Sequence, residues 1–395
     1  MKRRTALGVS VAAILMTATL SSGSQAADVK IGLAIPTSGI FTALGKELER
    51  GFTIHMEDVK WRAGAHKISV IQEDTQGKPN IGLTKVQKLV ELNKVNLMTG
   101  ILSSSVGLAV KSYIHRNKVP LVMMISSVDE ITAKNPSPYI NRIIESNVQQ
   151  VFPYGEWVAG KRGFKRAVVI GSDYAAGRSQ ARAFMAGFKS AGGTVVQEIY
   201  PPLGTADYAP FLSRIDASKA DMVFAFTPGS DQLRLFKQFQ EYGLKGKLQM
   251  IGGSGQPDFL TLRAAGKTAL GTIVVDFYSR DVDTPENKHY LALYKKKYGK
   301  LPTEWAYLGY AAAMVITNGL RASGNDVSRE SLRKALRNVS FNGPKGPIKF
   351  DENGQMIGSI FFSEVVEKGG QVTKKMIDRR SNIRILDYYK RLSGK

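Results

Sequence analysis

The sequence contains no cysteine. That excludes disulfides, thiolate metal sites, thiol nucleophiles and a lipid anchor attached through cysteine. Disulfides are also dispensable here, because domains beyond roughly 150 residues bury enough apolar surface to stand alone. Histidine is scarce: His55, His66, His115 and His289 are all there is, and no pair has the spacing of an HExxH site. His55 falls in a predicted helix and His289 among charged residues, so structural or surface roles suffice. No GxSxG elbow occurs, and neither GxGxxG nor a Walker A sequence follows a predicted strand. Gly252-Gly253-Ser254-Gly255 follows a strand but lacks the Lys-Ser/Thr pair of a phosphate loop. It reads as a turn, or as a place where backbone approaches a ligand. An enzyme therefore has no positive support, and no metal or other cofactor is called for.

Acidic residues are also in deficit, with 33 Asp+Glu against 55 Lys+Arg and a net charge of +22. The basic residues are dispersed, and the densest run, Lys295-Lys296-Lys297, lies on a helix face. The aromatic–basic alternation of single-strand binders is missing, so nucleic acid is not an expected partner. A positive field modestly favours anionic ligands.

What is present begins with a leader. Lys2, Arg3 and Arg4 precede a small and apolar stretch, Ala6 to Leu20, and Ser24-Gln25-Ala26 supplies the small residues of a cleavage site. That order is a secretory signal peptide, with cleavage expected near Ala26 or Ala27. The run is too short and too rich in Ala, Ser and Thr for a span of about 20 apolar residues. Later apolar stretches are all interrupted by charge. A soluble, periplasmic chain without membrane insertion is the expectation, with net charge near +19 after cleavage.

Beyond the leader, strands alternate with helices. Val29–Ile35, His66–Ile71, Val95–Gly100 and Val119–Ile125 read as strands, separated by helices over Gly45–Val59, Asn80–Asn93 and Val106–Arg116. The alternation restarts with strands at Lys165–Ser172, Thr194–Ile199, Met222–Phe226, Gln249–Gly252 and Gly271–Asp276. Helices are expected between them over Gly177–Ala191, Tyr208–Ser218 and Asp231–Tyr242. Such alternation indicates βαβ units and parallel sheets: two consecutive α/β lobes. A C-terminal third with helices at Glu286–Tyr298, Ala306–Arg321 and Ser328–Leu336, then a strand at Gly358–Val365, is too short for a third domain and should complete the first two.

In open α/β sheets ligands bind outside the carboxyl ends of the strands. Those positions are Pro36–Gly39, Ser103-Ser104-Ser105, Ser126-Ser127, Asp173-Tyr174, Thr227-Pro228-Gly229 and Gly253-Ser254-Gly255. They offer hydroxyls and backbone N–H groups. The triple serine precedes a helix, whose N-terminus carries free N–H groups and partial positive charge suited to a carboxylate. Plain helix capping would explain the same serines.

The segments VKIGLAIPTSGIFTALGKELERGF (29–52), TGILSSSVGLAV (99–110), VPLVMMISS (119–127), SPYINR (137–142), AVVIGSDYAAG (167–177), ADMVFAF (220–226) and KFDENGQ (349–355) resemble, in order and spacing, the periplasmic solute-binding proteins of the branched-chain amino-acid type. That family delivers ligands to ABC transporters. The resemblance implies a type I periplasmic binding fold: two Rossmann-like lobes with parallel sheets, joined by three crossovers, with ligand trapped between them. Lobe 1 would comprise residues 27–146 and 277–348, lobe 2 residues 147–276 and 349–395, after a leader of residues 1–26. It implies a small-molecule ligand and a membrane permease as partners. It places the carboxylate-binding serine at Ser104, flanked by Ser103 and Ser105, and a second carboxylate contact at Ser126 or Ser127. Wall residues fall at Phe41, Leu44, Tyr174, Thr227 and Pro228, and Tyr278, near which the chain returns to the first lobe, is a further ligand-binding candidate.

One position departs from the family. Amino-acid binders pair the ligand's ammonium with an acidic residue where this chain has Ser254. An ammonium buried there would be unpaired, at a cost of several kcal/mol. Asp258 is nearby, but its place at the start of the next helix suits a cap. A carboxylate without an α-amino group, aromatic or aliphatic, is the expected ligand. An amino-acid ligand, or a ligand-sensing receptor of the same fold, is the alternative.

Overall fold

The computed structural model describes residues 28–394; the expected leader lies outside them. Six strands form the first sheet: β1 (Asp28–Ile35), β2 (Arg62–Ala63), β3 (His66–Asp74), β4 (Leu97–Gly100), β5 (Leu121–Met123) and β6 (Ile140–Arg142), in the order β2-β3-β1-β4-β5-β6. All are parallel except β2, which turns back on β3. The second sheet begins with β7 (Arg166–Gly171), β8 (Thr194–Ile199), β9 (Met222–Phe226), β10 (Gln249–Gly252) and β11 (Ile273–Asp276). A small hairpin, β12 (Ser340–Gly343) with β13 (Gly346–Lys349), precedes two long antiparallel strands, β14 (Gly358–Lys368) and β15 (Gln371–Ile383). The order is β15-β14-β11-β10-β9-β7-β8.

The parallel parts, β3-β1-β4-β5-β6 and β8-β7-β9-β10-β11, share one winding order. Each reverses direction beside its first strand, and there a doubly wound sheet opens a crevice at the carboxyl ends. Helices cover both faces of each sheet, so strands such as Met222–Phe226 are buried throughout, as their unbroken apolar runs require. The fold is thus the two-lobed α/β arrangement expected from the sequence, with the chain passing between sheets after Arg142, after Asp276 and after Lys349.

Each lobe holds one helix pair at very close range, through glycine. A Cβ on Gly51 would lie 1.7 Å from the Ala306 carbonyl oxygen, and one on Gly309 1.9 Å from that of Leu48. These residues join the helices Thr42–Asp58 and Glu304–Ala322. In the second lobe Gly187 meets the Phe152 carbonyl at 1.9 Å and Gly155 that of Phe184 at 2.5 Å, joining Asn147–Gly160 to Ala175–Ser190. Only hydrogen fits at these contacts, so backbone packs on backbone.

Several elements differ from the sequence reading. The helix expected over Tyr208–Ser218 is a single turn, Ala209–Leu212. The Asp216 carboxylate accepts from the backbone N–H and hydroxyl of Ser218, at 3.0 and 2.7 Å. That local turn competes with helical bonding. The helix Asn147–Gly160 carries no apolar stripe: nearly every residue is buried and Pro153 lies inside it. Its start is nonetheless well built, with a capping box between Ser146 and Gln149. The tail Gln371–Ser393 forms β15 and a last helix over Ile385–Ser393.

Buried polar groups tie the crossovers together. Arg142 is fully buried and donates to the Gln355 side chain at 2.7 Å, to the Ser126 and Val128 carbonyls at 2.8 and 2.6 Å, and to the Thr132 hydroxyl at 2.7 Å. Lys345 donates to Glu145 at 2.6 Å and to the Phe277 carbonyl at 3.0 Å. Both members of that ion pair are buried.

Candidate ligand-binding cleft

The carboxyl ends of β1, β4, β5, β7, β9 and β10 all open into one space between the lobes. Their following loops bring Phe41 and Leu44, Leu102 to Ser104, Ile125 and Ser127, Tyr174, Pro228, and Ser254 with Gln256 around a narrow cavity that is partly open to solvent. Eight of the twelve residues singled out from the sequence border it: Phe41, Leu44, Ser103, Ser104, Ser127, Tyr174, Pro228 and Ser254.

The first-lobe side is built on the helix Ser104–Arg116. Gly100, at φ +105°, turns the chain out of β4 so closely that a Cβ would lie 2.3 Å from the Ala34 carbonyl oxygen. Ser103 then occupies the N-cap position, yet its side chain makes no capping hydrogen bond. The hydroxyls of Ser104 and Ser127 likewise have no protein partner. Capping therefore does not account for these serines. The helix N-terminus keeps unsatisfied N–H groups beside three uncommitted hydroxyls, a neutral cradle for an anion.

The other four residues stand outside the wall. Ser105 is half-buried, one position further round the helix. Ser126 adopts φ +39° and is buried against Gly107, whose Cβ would meet its hydroxyl oxygen at 1.8 Å. Its carbonyl is taken by Arg142. Thr227 is buried and gives its backbone N–H to the Gln256 side chain at 2.8 Å. Tyr278 lies in the first-lobe core: its ring stacks on Tyr307 at 4.6 Å, and its hydroxyl donates to Asn287 at 2.7 Å.

The sequence reading missed Gln180, Gln256, Phe226 and Trp305, which border the cavity, and Gln150, which accepts a hydrogen bond from the Ser254 hydroxyl. Gln180 interrupts an apolar helix face formed by Ala176, Ala183 and Phe184. A lone polar residue on a buried face is the signal that could have found it. The indole N–H of Trp305 donates to Asp258 across the lobes at 3.2 Å. Asp258 does cap its helix, accepting from the Thr261 N–H at 2.6 Å. It does not border the cavity, and burial, with Glu304 nearby, pushes its pKa up to about 6.

The lobes touch directly around this space. Phe41 and Tyr174 face each other with ring centroids 6.5 Å apart. Gly229, at φ +63°, packs on Ile40, whose carbonyl oxygen a Cβ would approach to 2.8 Å. Lys374 donates to Asp276 at 2.5 Å and to Glu304 at 2.6 Å, all three buried. Burial alone would lower the Lys374 pKa, but the two carboxylates raise it. The cavity wall contains no Asp, Glu, Lys, Arg or His. Among the described residues no cluster of metal-binding side chains occurs, and no helix is long and apolar enough to cross a membrane.

Comparison with known proteins agrees with this architecture. Leu/Ile/Val-binding protein homolog 6 of Brucella melitensis is 29% identical over 366 residues, 91% of this chain and 93% of the relative. A substrate-binding protein of an ABC transporter from Sphaerobacter thermophilus is 31% identical, with a TM-score of 0.84 over 90% of this chain and 99% of the other. A solute-binding protein of an ABC transporter from Rhodopseudomonas palustris BisB5, solved with 3,4-dihydroxybenzoic acid, is 30% identical, with a TM-score of 0.85 over 90% and 98%. The family model described as periplasmic binding protein matches residues 28–371. With a fold, a cleft and a family match that extend over nearly all the described residues, this chain belongs to the periplasmic binding protein family.

Proposed function

We propose that this chain captures a small aromatic carboxylate lacking an ammonium group and delivers it to the permease of an ABC uptake transporter. The carrying observation is the charge-free cavity wall. An amino acid brings a cation as well as an anion, and burying that cation without a carboxylate partner costs several kcal/mol. A carboxylate alone fits the helix N-terminus and the free hydroxyls of Ser103, Ser104 and Ser127. The remaining wall, with Phe41, Phe226 and Trp305, suits a flat apolar body.

The dihydroxybenzoate complex of the Rhodopseudomonas relative supports this ligand class. The Brucella relatives carry the name of Leu/Ile/Val binders, which keeps an amino-acid ligand as the second reading. The absence of an acidic side chain from the wall weighs against it. Binding without turnover, in the periplasm after removal of the leader, completes the proposal.

Calorimetric titration of the purified protein with 4-hydroxybenzoate, benzoate, succinate and leucine tests it. An aromatic acid is expected to bind with micromolar or better affinity and leucine not to bind. Tight leucine binding without aromatic-acid binding would overturn the reading.

A further inference from the structure

The second-lobe side of the cavity holds a group of amides whose orientations the backbone fixes. The Ser254 N–H can only donate, so Gln180 must turn its Oε1 toward it, at 3.3 Å. The Gln180 Nε2 then donates to Asn147 Oδ1 at 2.9 Å. The Glu145 carbonyl can only accept, so Gln150 turns Nε2 to it, at 2.5 Å. That leaves the Gln150 Oε1 facing the Ser254 hydroxyl, which must donate. The Thr227 N–H can likewise only donate, so Gln256 presents Oε1 there and keeps Nε2 without a protein partner. All five side chains are buried, none more than 4% exposed.

Every amide oxygen in this group already accepts one hydrogen bond from the protein. On the three of these residues that border the cavity, the groups without a protein partner are the Ser254 hydroxyl oxygen as acceptor and, as donors, the second N–H of Gln180 and the Nε2 of Gln256. One group that satisfies an acceptor and a donor together is a hydroxyl. A methoxy group cannot donate to Ser254. A second carboxylate would set its oxygens against the Ser254 oxygen with no cation to compensate. An unsubstituted ring leaves buried N–H groups unpaired.

We propose that Ser254, Gln180 and Gln256 form a hydroxyl-reading subsite, so that the preferred ligands are aromatic acids bearing a phenolic hydroxyl away from the carboxylate. The phenol donates to Ser254 Oγ and accepts from the amides of Gln180 and Gln256. This rests on the aromatic-carboxylate reading above. Ser254 thus occupies the position where an ammonium partner would stand and reads a neutral polar group instead.

The test compares 4-hydroxybenzoate, 4-methoxybenzoate and benzoate by calorimetry on the wild-type protein and on Ser254→Ala. The wild type is expected to prefer the hydroxyl ligand about 10- to 100-fold over both analogues. In Ser254→Ala that ratio should fall below about 5-fold with benzoate affinity little changed. The ratio is read within one protein, so a reduced folded fraction cancels. If the variant does not fold, the wild-type series alone decides. Equal wild-type affinity for all three acids overturns the subsite and leaves the carboxylate reading standing, and so does a preference that persists in Ser254→Ala. No binding of any aromatic acid overturns both.

Discussion

Replacing Ser104 by alanine should separate binding from folding. Ser104 opens the helix Ser104–Arg116, is 2% exposed and borders the cavity. Its hydroxyl makes no hydrogen bond to the protein, so the unliganded fold has nothing to lose at that atom. A bound carboxylate does. A hydrogen bond to a charged acceptor contributes about 1.5–3 kcal/mol, or roughly 10- to 150-fold in Kd. We expect Ser104→Ala to weaken 4-hydroxybenzoate binding within that range while the melting temperature of the free protein moves by less than about 2 °C. Ser103→Ala combined with it should weaken binding further, because the N-cap hydroxyl is also uncommitted. Calorimetry gives the affinity and differential scanning fluorimetry the stability, with and without ligand. An affinity unchanged within about 3-fold would refute the carboxylate cradle. So would a fall in the melting temperature of the free protein as large as the fall in ligand-induced stabilisation.

Other substitutions test the frame around the cleft. Lys345→Met leaves Glu145 buried without its cation and should cost about 3–5 kcal/mol in urea unfolding at pH 7. Lys345→Met with Glu145→Gln should recover more than half, and the deficit of the single variant should shrink toward low pH as Glu145 takes up a proton. Asp258 has its pKa raised from 3.8 to about 6, mainly by burial. Its stability contribution is therefore full below pH 3.8 and lost as pH rises through 6. Asp258→Asn, which does not titrate, should gain roughly 3 kcal/mol on the wild type between pH 4 and 7; a difference flat with pH would contradict this. Gly51→Leu drives a side chain into the Ala306 carbonyl and should destabilise by more than about 3 kcal/mol, visible as a lowered melting temperature.

Much of the frame was legible because its signals are local. The strands Thr194–Ile199, Met222–Phe226 and Gln249–Gly252 were readable to the residue, since such segments between turn residues are too short for typical helices. The loops after the strands led to Ser104, Tyr174 and Ser254 by topology alone. Side chains that reach the cleft from within helices were not legible. Gln150 sits in a helix buried on all sides, where no apolar stripe marks a face. Gln180 and Trp305 arrive from helix positions whose direction only packing decides. Tyr278 was misjudged for the converse reason: it follows a strand of the second sheet, but the chain has already passed into the first-lobe core.

The charge-free wall has a consequence in time as well as in affinity. A carboxylate held by neutral dipoles has no counter-charge to leave behind, so added salt has no buried ion pair to screen and should leave departure almost untouched. Arrival is different, because the approaching anion meets the field of a chain whose net charge stays near +19 once the leader is removed, and such steering weakens as ionic strength rises. For a carboxylate ligand, the rate of capture then follows the salt of the compartment, while the residence time does not.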